Sequence, residues 1–136
     1  VLRFVLASHG HLAEGMKDTL QVILGQLDNV DTLCAYVDPD ITIRTKIKAL
    51  FAMYAPEDTV VVVTDIFGGS VNNEFMVALS DYEFFLVCGM NMPLLVQLLS
   101  SDELAAQDID EAIGECREAI LLCNDLAASA GEAEDF

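Results

Sequence analysis

The run Thr59-Val60-Val61-Val62-Val63-Thr64 constrains this chain more than any other stretch. Every residue in it is β-branched, and no polar residue recurs at alternate positions. A strand with one wet face alternates, whereas a strand covered on both faces does not. The run therefore predicts an inner strand of a parallel sheet. Parallel neighbours need crossover connections, usually helical, so the flanking sequence should alternate strand with helix.

It does. Leu2 to Ala7 is a short apolar run fit for a buried strand. Leu12 to Leu27 follows helical spacing, with Leu12, Met16, Leu20, Ile23, Leu24 and Leu27 on one face. Val30 to Val37 reads as a second strand, and Asp38-Pro39-Asp40 as a turn that caps the next helix. That helix runs from Ile41 to Tyr54 through Ile43, Ile47, Leu50 and Phe51. After the valine run come a loop at Asp65 to Ser70, a helix at Val71 to Leu79 and a fourth strand at Tyr82 to Cys88. Pro93 suits the first turn of a helix ending at Leu99, and Asp102 to Glu118 is again helical. Ala119 to Asn124 reads two ways, as a continued helix face or as a short strand. The stretch 127–136 is small and acidic and is expected to be a mobile tail. The pattern predicts one α/β domain over 1–126, a doubly wound, mainly parallel sheet. A flavodoxin-like strand order of 2-1-3-4 would set the first and third strands side by side at the switch point, where ligands bind.

Composition narrows the partners. The formal net charge is −17 with only six lysines and arginines, so phosphate backbones and anionic lipid are repelled and a basic protein partner is attracted. No apolar run approaches the ~20 residues that span a bilayer. No basic-then-apolar leader pattern opens the chain, so the cytoplasm is the expected location. Cys34, Cys88, Cys116 and Cys123 show no C-x-x-C pairing and sit in apolar segments. They read as reduced core thiols.

Three loops fall at the carboxyl edge of the expected sheet. The first holds Ser8, His9, Gly10 and His11, the second Asp65, Gly68, Gly69 and Ser70, the third Gly89, Asn91 and Pro93. A histidine in such a turn can act as nucleophile, base or ligand. A nucleophilic imidazole needs one bare nitrogen and an acceptor on the other, and Asp65 is the candidate acceptor. The plain alternative is an aspartate that only caps a turn. Gly68-Gly69-Ser70 opens a helix, where free N–H groups and the helix dipole hold an anion. Its plain alternative is a Gly-Gly turn with a serine cap. His11 could join His9 on a metal, but no third ligand has suitable spacing, so no metal is expected. Neither a Walker lysine motif nor a G-x-G-x-x-G fingerprint is present, which leaves no support for nucleotide or dinucleotide cofactors.

These segments resemble the IIA component of the mannose-type (mannose/fructose/sorbose) sugar phosphotransferase system. Ala7-Ser8-His9-Gly10 with Ala13-Glu14-Gly15 is similar to that family's phosphorylation segment. Thr64-Asp65-Ile66-Phe67-Gly68-Gly69-Ser70 with Asn72 or Asn73 is similar to its Asp-x-x-Gly-Gly-Ser segment. Gly89-Met90-Asn91-Met92-Pro93-Leu94-Leu95 is similar to its Gly-x-Asn-x-Pro segment. The three occur in order across nearly the whole chain.

The resemblance implies a phosphoryl carrier that needs no cofactor. His9 would be phosphorylated and Asp65 would be its hydrogen-bonding partner. Gly68, Gly69 and Ser70 would hold the phosphate, while Asn91 carries no implied role. The donor would be the phosphohistidine carrier protein, and the acceptor a IIB component, expected here as a separate protein, that passes phosphate to a sugar during uptake. The resemblance also implies a homodimer in which a C-terminal strand crosses as an antiparallel edge strand, with Ala119 to Asn124 the candidate. His11 departs from the family, which often has an aromatic or aliphatic residue there. Two alternatives stay open: a phosphotransfer subunit serving a dihydroxyacetone kinase, and a non-catalytic flavodoxin-like regulatory or binding module.

Overall fold

A computed structural model of the chain describes residues 1–130. Four strands, β1 (Leu2–His9), β2 (Val30–Ala35), β3 (Thr59–Thr64) and β4 (Phe85–Cys88), form one sheet in the order β2-β1-β3-β4. All three pairings are parallel. The helices are α1 (Leu12–Leu24), α2 (Ile43–Phe51), α3 (Ser70–Ala78), α4 (Met92–Leu99), α5 (Ala106–Cys116) and α6 (Cys123–Ala130). The α/β architecture and the 2-1-3-4 order expected from the sequence are the ones observed.

The valine run explains the layering. Val61 and Val63 face one core with Phe4 and Leu6, closed by Leu20 of α1, Leu94, Leu95 and Leu98 of α4, and Ile109 of α5. Val60 and Val62 face the opposite core with Val5 and Ala7, closed by Ile47 and Leu50 of α2 and Val71 and Phe75 of α3. Successive residues of each inner strand therefore serve two cores, so neither face can be polar.

Several boundaries differ from the sequence reading. Helix α1 ends at Leu24, because Gly25 takes φ 86° and its N–H closes on the Gln21 carbonyl. Its buried face holds Ala13 and Leu20 with Met16 beside them, while Leu12 and Ile23 are exposed. The helix is rotated toward Lys17, which is half-buried and whose ammonium donates to the Val30 carbonyl at 2.7 Å. The cap of α2 is Thr42, which accepts from the Thr45 N–H, and not the Asp38-Pro39-Asp40 turn. Cys34 and Cys116 are buried thiols, but Cys123 is exposed at the start of α6, beyond both cores.

The ambiguous segment after α5 does neither of the two things expected of it within one chain. Arg117–Ala119 form a 3₁₀ turn, Ile120 to Leu122 follow without regular structure, and α6 starts at Cys123. Ile120, Leu121 and Leu122 are all exposed. Of the tail expected to be mobile, residues 127–130 end α6 and 131–136 lie outside the described residues. Among the described residues no helix is long and apolar enough to cross a membrane.

The rotation of α1 is testable by paired truncation. Leu20→Ala should cost about 2–5 kcal/mol of unfolding free energy in urea, as a core leucine does. Ile23→Ala, on the same face by sequence spacing, should stay within about 0.5 kcal/mol.

Candidate active site

The sheet register builds the site. Ser8 and His9 of β1 pair with Cys34 and Ala35 of β2, and Ala7 pairs with Thr64 of β3. β2 thus ends level with β1, β3 ends two residues short of them, and the residues that follow the three strands meet. His9 is the last residue of β1. Gly10 turns the chain at φ 58° with its N–H on the Ala35 carbonyl. Ser8, fully buried, accepts from the Ala13 N–H at 2.8 Å and ties the turn to α1.

Asp65 continues the ladder beyond β3, its N–H donating to the Ala7 carbonyl. One carboxylate oxygen, Oδ2, accepts from the His9 backbone N–H at 2.9 Å and contacts the His9 ring Nδ1 at 2.8 Å. The other, Oδ1, accepts from the Ile66 N–H at 3.0 Å. Burial by itself pushes the Asp65 carboxyl up. The His9 backbone and ring N–H groups, the charge they bring and the Ile66 N–H outweigh it and hold the group below its ordinary value. An ionised carboxylate only accepts, so Nδ1 of His9 bears the ring proton and Nε2 is the bare nitrogen of the neutral ring.

Nε2 points to Ser70, whose Oγ lies 3.2 Å away. Ser70 is the first residue of α3 and Gly69 is its N-cap. The serine is therefore not the cap, and its hydroxyl is turned into the site. Gly69 is needed there for its lack of a side chain. A Cβ at 69 would stand 3.1 Å from His9 Cε1 and 2.9 Å from Ile66 Cγ2. Gly68 makes the preceding bend at φ 79°, and Asn73 Nδ2 holds its carbonyl at 3.1 Å. Asn72, almost fully buried, donates to Thr64 Oγ1 at 2.9 Å and anchors the first turn of α3 to the end of β3. The Gly69 N–H is taken by the Ile66 carbonyl at 3.3 Å. The unpaired backbone donors at the start of α3 are those a helix leaves free in its first turn. His9, Asp65, Gly69 and Ser70 are thus brought together, and Gly68 shapes their loop.

Two other expected loop residues are placed elsewhere in role. Asn91 caps α4 by accepting from the Leu94 N–H at 3.0 Å. His11 contacts Glu14 Oε2 at 3.3 Å through Nδ1. The register also brings Cys34 to this pair, so that the three donor atoms lie within 4.8 Å of one another. Sequence spacing could not reveal that third donor. Its chemistry opposes a cation: burial pushes the thiol up, against the lowering by the Glu14 backbone N–H and with help from the Glu14 charge, and the group sits at the positive end of α1.

The sequence reading missed Tyr36. It follows β2 directly, its ring is stacked on His9 with centroids 5.7 Å apart, and its hydroxyl lies 2.7 Å from Ser70 Oγ. The available signal was positional, since it leaves the strand next to β1 at the same edge. Tyr36 and Ser70 also border an open cleft of about 620 Å³ whose walls include Thr42, Arg44 and Glu74. Ile66 and Phe67 project into solvent on the Asp65 loop.

The native carboxyl of Asp65 is depressed, so it stabilises the fold above its ordinary value of 3.8, and that contribution is lost as pH falls through the lower native value. Wild type and Asp65→Asn should therefore differ in urea midpoint at about pH 7, and the gap should narrow as the pH falls below 3.8. A gap that stays constant over that range would contradict an ionised Asp65 held by its hydrogen bonds.

Residues 3–120 match the family model EIIA-man, PTS system fructose IIA component. The chain is 30% identical over 122 residues to the PTS system mannose-specific EIIAB component of Escherichia coli (strain K12), covering 80% of this chain and 36% of that protein. It thus spans about a third of that relative's length. Among solved structures, it superposes at TM-score 0.85 and 38% identity on a candidate phosphoenolpyruvate-dependent sugar phosphotransferase system permease from Klebsiella pneumoniae, over 93% of each chain. It superposes at TM-score 0.78 and 26% identity on the PTS IIA protein associated with the fucose utilization operon of Streptococcus pneumoniae, over 93% of this chain and 96% of that one.

Proposed function

We propose that this chain, which belongs to the mannose/fructose family of phosphotransferase system IIA components, carries a phosphoryl group on His9 Nε2 between a phosphohistidine carrier protein and a IIB component during sugar uptake. The observation that carries this reading is the ring of His9 held between Asp65 at Nδ1 and Ser70 at Nε2. The carboxylate fixes the tautomer that leaves Nε2 nucleophilic, and the hydroxyl marks where phosphoryl oxygens would lie.

In the transfer, the Nε2 lone pair forms a new N–P bond as the donor's N–P bond breaks and its electron pair returns to the donor ring. No proton has to cross between the proteins. His9 keeps its Nδ1 proton on Asp65, whose negative charge offsets the positive charge that the phosphorylated ring acquires. The phosphoryl group is loosely bonded in the transition state, so positioning and charge stabilisation dominate. Ser70 and the free N–H groups that open α3 supply donors to its oxygens, and Gly68 and Gly69 let the backbone approach. Exposed Ile66 and Phe67 beside His9 suit docking of a protein rather than a small substrate. The net charge of −17 favours a donor with a basic face.

His9→Ala should abolish labelling by the phosphorylated carrier protein, and His11→Ala should leave it intact. Mass spectrometry would map an acid-labile, base-stable phosphate to His9, and label found on His11 alone would reverse the assignment.

The same family reading makes the working unit a homodimer with segment 119–124 added to the partner's sheet. In support, Ile120, Leu121 and Leu122 lie exposed, and β4 is paired on one side only among the described residues. Ending the chain after Glu118 should give monomer or unfolded protein by light scattering. A stable dimer after that cut refutes the exchange.

A further inference from the structure

Tyr36 has no task in the transfer as derived so far, yet its placement is unusual. At φ 67° it is the one non-glycine residue with positive φ among the described residues. The turn it makes is held from behind by Lys46, whose ammonium donates to the Cys34 carbonyl at 2.7 Å and to Asp38 Oδ2 at 2.8 Å. The result is a ring laid on His9 and a hydroxyl set against Ser70.

Counting protons gives the hydrogen bonds a direction. With Nδ1–H on the Asp65 carboxylate, Nε2 is an acceptor, so the contact at 3.2 Å is a bond donated by Ser70. A serine hydroxyl has one proton to give. Its contact with Tyr36 at 2.7 Å must then be donated by the phenol. The chain of donation runs from Tyr36 to Ser70 to Nε2, and from Nδ1 to Asp65.

Resting on the proposed transfer at His9, we propose that Tyr36 is a positioning residue for that reaction: its phenol donates to Ser70 and so aims the single serine proton at the reacting centre. Before transfer the proton lies on Nε2. Once the Nε2 lone pair has become the N–P bond, that acceptor is gone, and the serine proton turns to a phosphoryl oxygen. The phenol proton engages one Ser70 lone pair throughout, so the serine proton is turned away from Tyr36 and toward the reacting centre. The stacked ring limits tilting of the imidazole while Nε2 changes partners.

Tyr36→Phe keeps the ring and deletes the donor. The rate constant for transfer from the phosphorylated carrier should fall about threefold to tenfold, the weight of one hydrogen bond, with KM for the carrier unchanged. Ser70→Ala should lose at least as much, and the double variant no more than Ser70→Ala alone, because the phenol acts only through the serine. A docking role would raise KM instead, and a structural role would lower the thermal midpoint and add to the Ser70→Ala loss. Either pattern, or an unchanged rate, overturns the proposal.

A second readout needs no transfer at all. In ¹⁵N spectra of the unphosphorylated protein, Tyr36→Phe should move the His9 Nε2 signal in the same direction as Ser70→Ala and leave Nδ1 in place. An Nε2 signal indifferent to Tyr36→Phe refutes the relay even where labelling of His9 succeeds. Absent labelling with an intact Nε2 response would instead sink the carrier function and leave the hydrogen-bond relay standing.

Discussion

Because β1 is bonded in parallel to β2 on one side and to β3 on the other, the backbone leaves three strands at one edge and nearly one level. The groups of the candidate site come from those exits: His9 from β1, Tyr36 from β2, and Asp65 with the Gly68-Gly69-Ser70 turn from β3. A slip of a single residue in either pairing would carry His9 to the wrong face or away from its carboxylate. What prevents the slip is the double coverage of the sheet, since shifting β1 would exchange Phe4 and Leu6 of one core for the smaller Val5 and Ala7 of the other. Side-chain packing well away from the imidazole thus sets its geometry.

Within that frame Asp65 does two jobs with one oxygen. Oδ2 receives both the backbone N–H and the ring Nδ1 of His9, so orienting the ring and closing the β1–β3 exit are one interaction. In a chain of net charge −17, an isolated carboxylate would add to the repulsion. This one is enclosed by three donors, and its charge is directed at the imidazole. The positive end of α3 lies opposite, on the Nε2 side. The ring sits between a fixed negative charge and a fixed positive dipole, an arrangement suited to a group that gains and loses a dianion.

The sheet was legible because β-branched residues without polar alternation have few other places to go, and the 2-1-3-4 order matched a flavodoxin-like arrangement taken as a premise. The His9–Asp65 pairing was legible for the same reason, as both residues end adjacent strands. What could not be read was rotation and detail. The buried face of α1 includes Lys17, which reaches the Val30 carbonyl, a contact that hydrophobic spacing does not encode. Thr42 displaced the expected Asp38-Pro39-Asp40 cap, and Asp38 is taken up by Lys46 instead. Tyr36 itself passed as the end of a strand, since a left-handed tyrosine leaves no mark in a sequence. Cys34 looked like plain core, and only the register brought it to His11 and Glu14. The region after α5 resisted for another reason: Ile120 to Leu122 carry the side chains of a buried strand, yet lie exposed among the described residues.

The left-handed backbone at Tyr36 sets two selective demands against each other at one residue. A tyrosine there forgoes on the order of 1 kcal/mol that glycine would not, because its Cβ crowds the neighbouring carbonyl. Optimising this chain for thermal tolerance alone would therefore favour glycine at position 36. The product would be a hardier scaffold with nothing stacked on the imidazole and no donor behind the serine. Directed evolution that screens only for survival to heat would discard the residue, and its loss would surface only in an assay that follows phosphate.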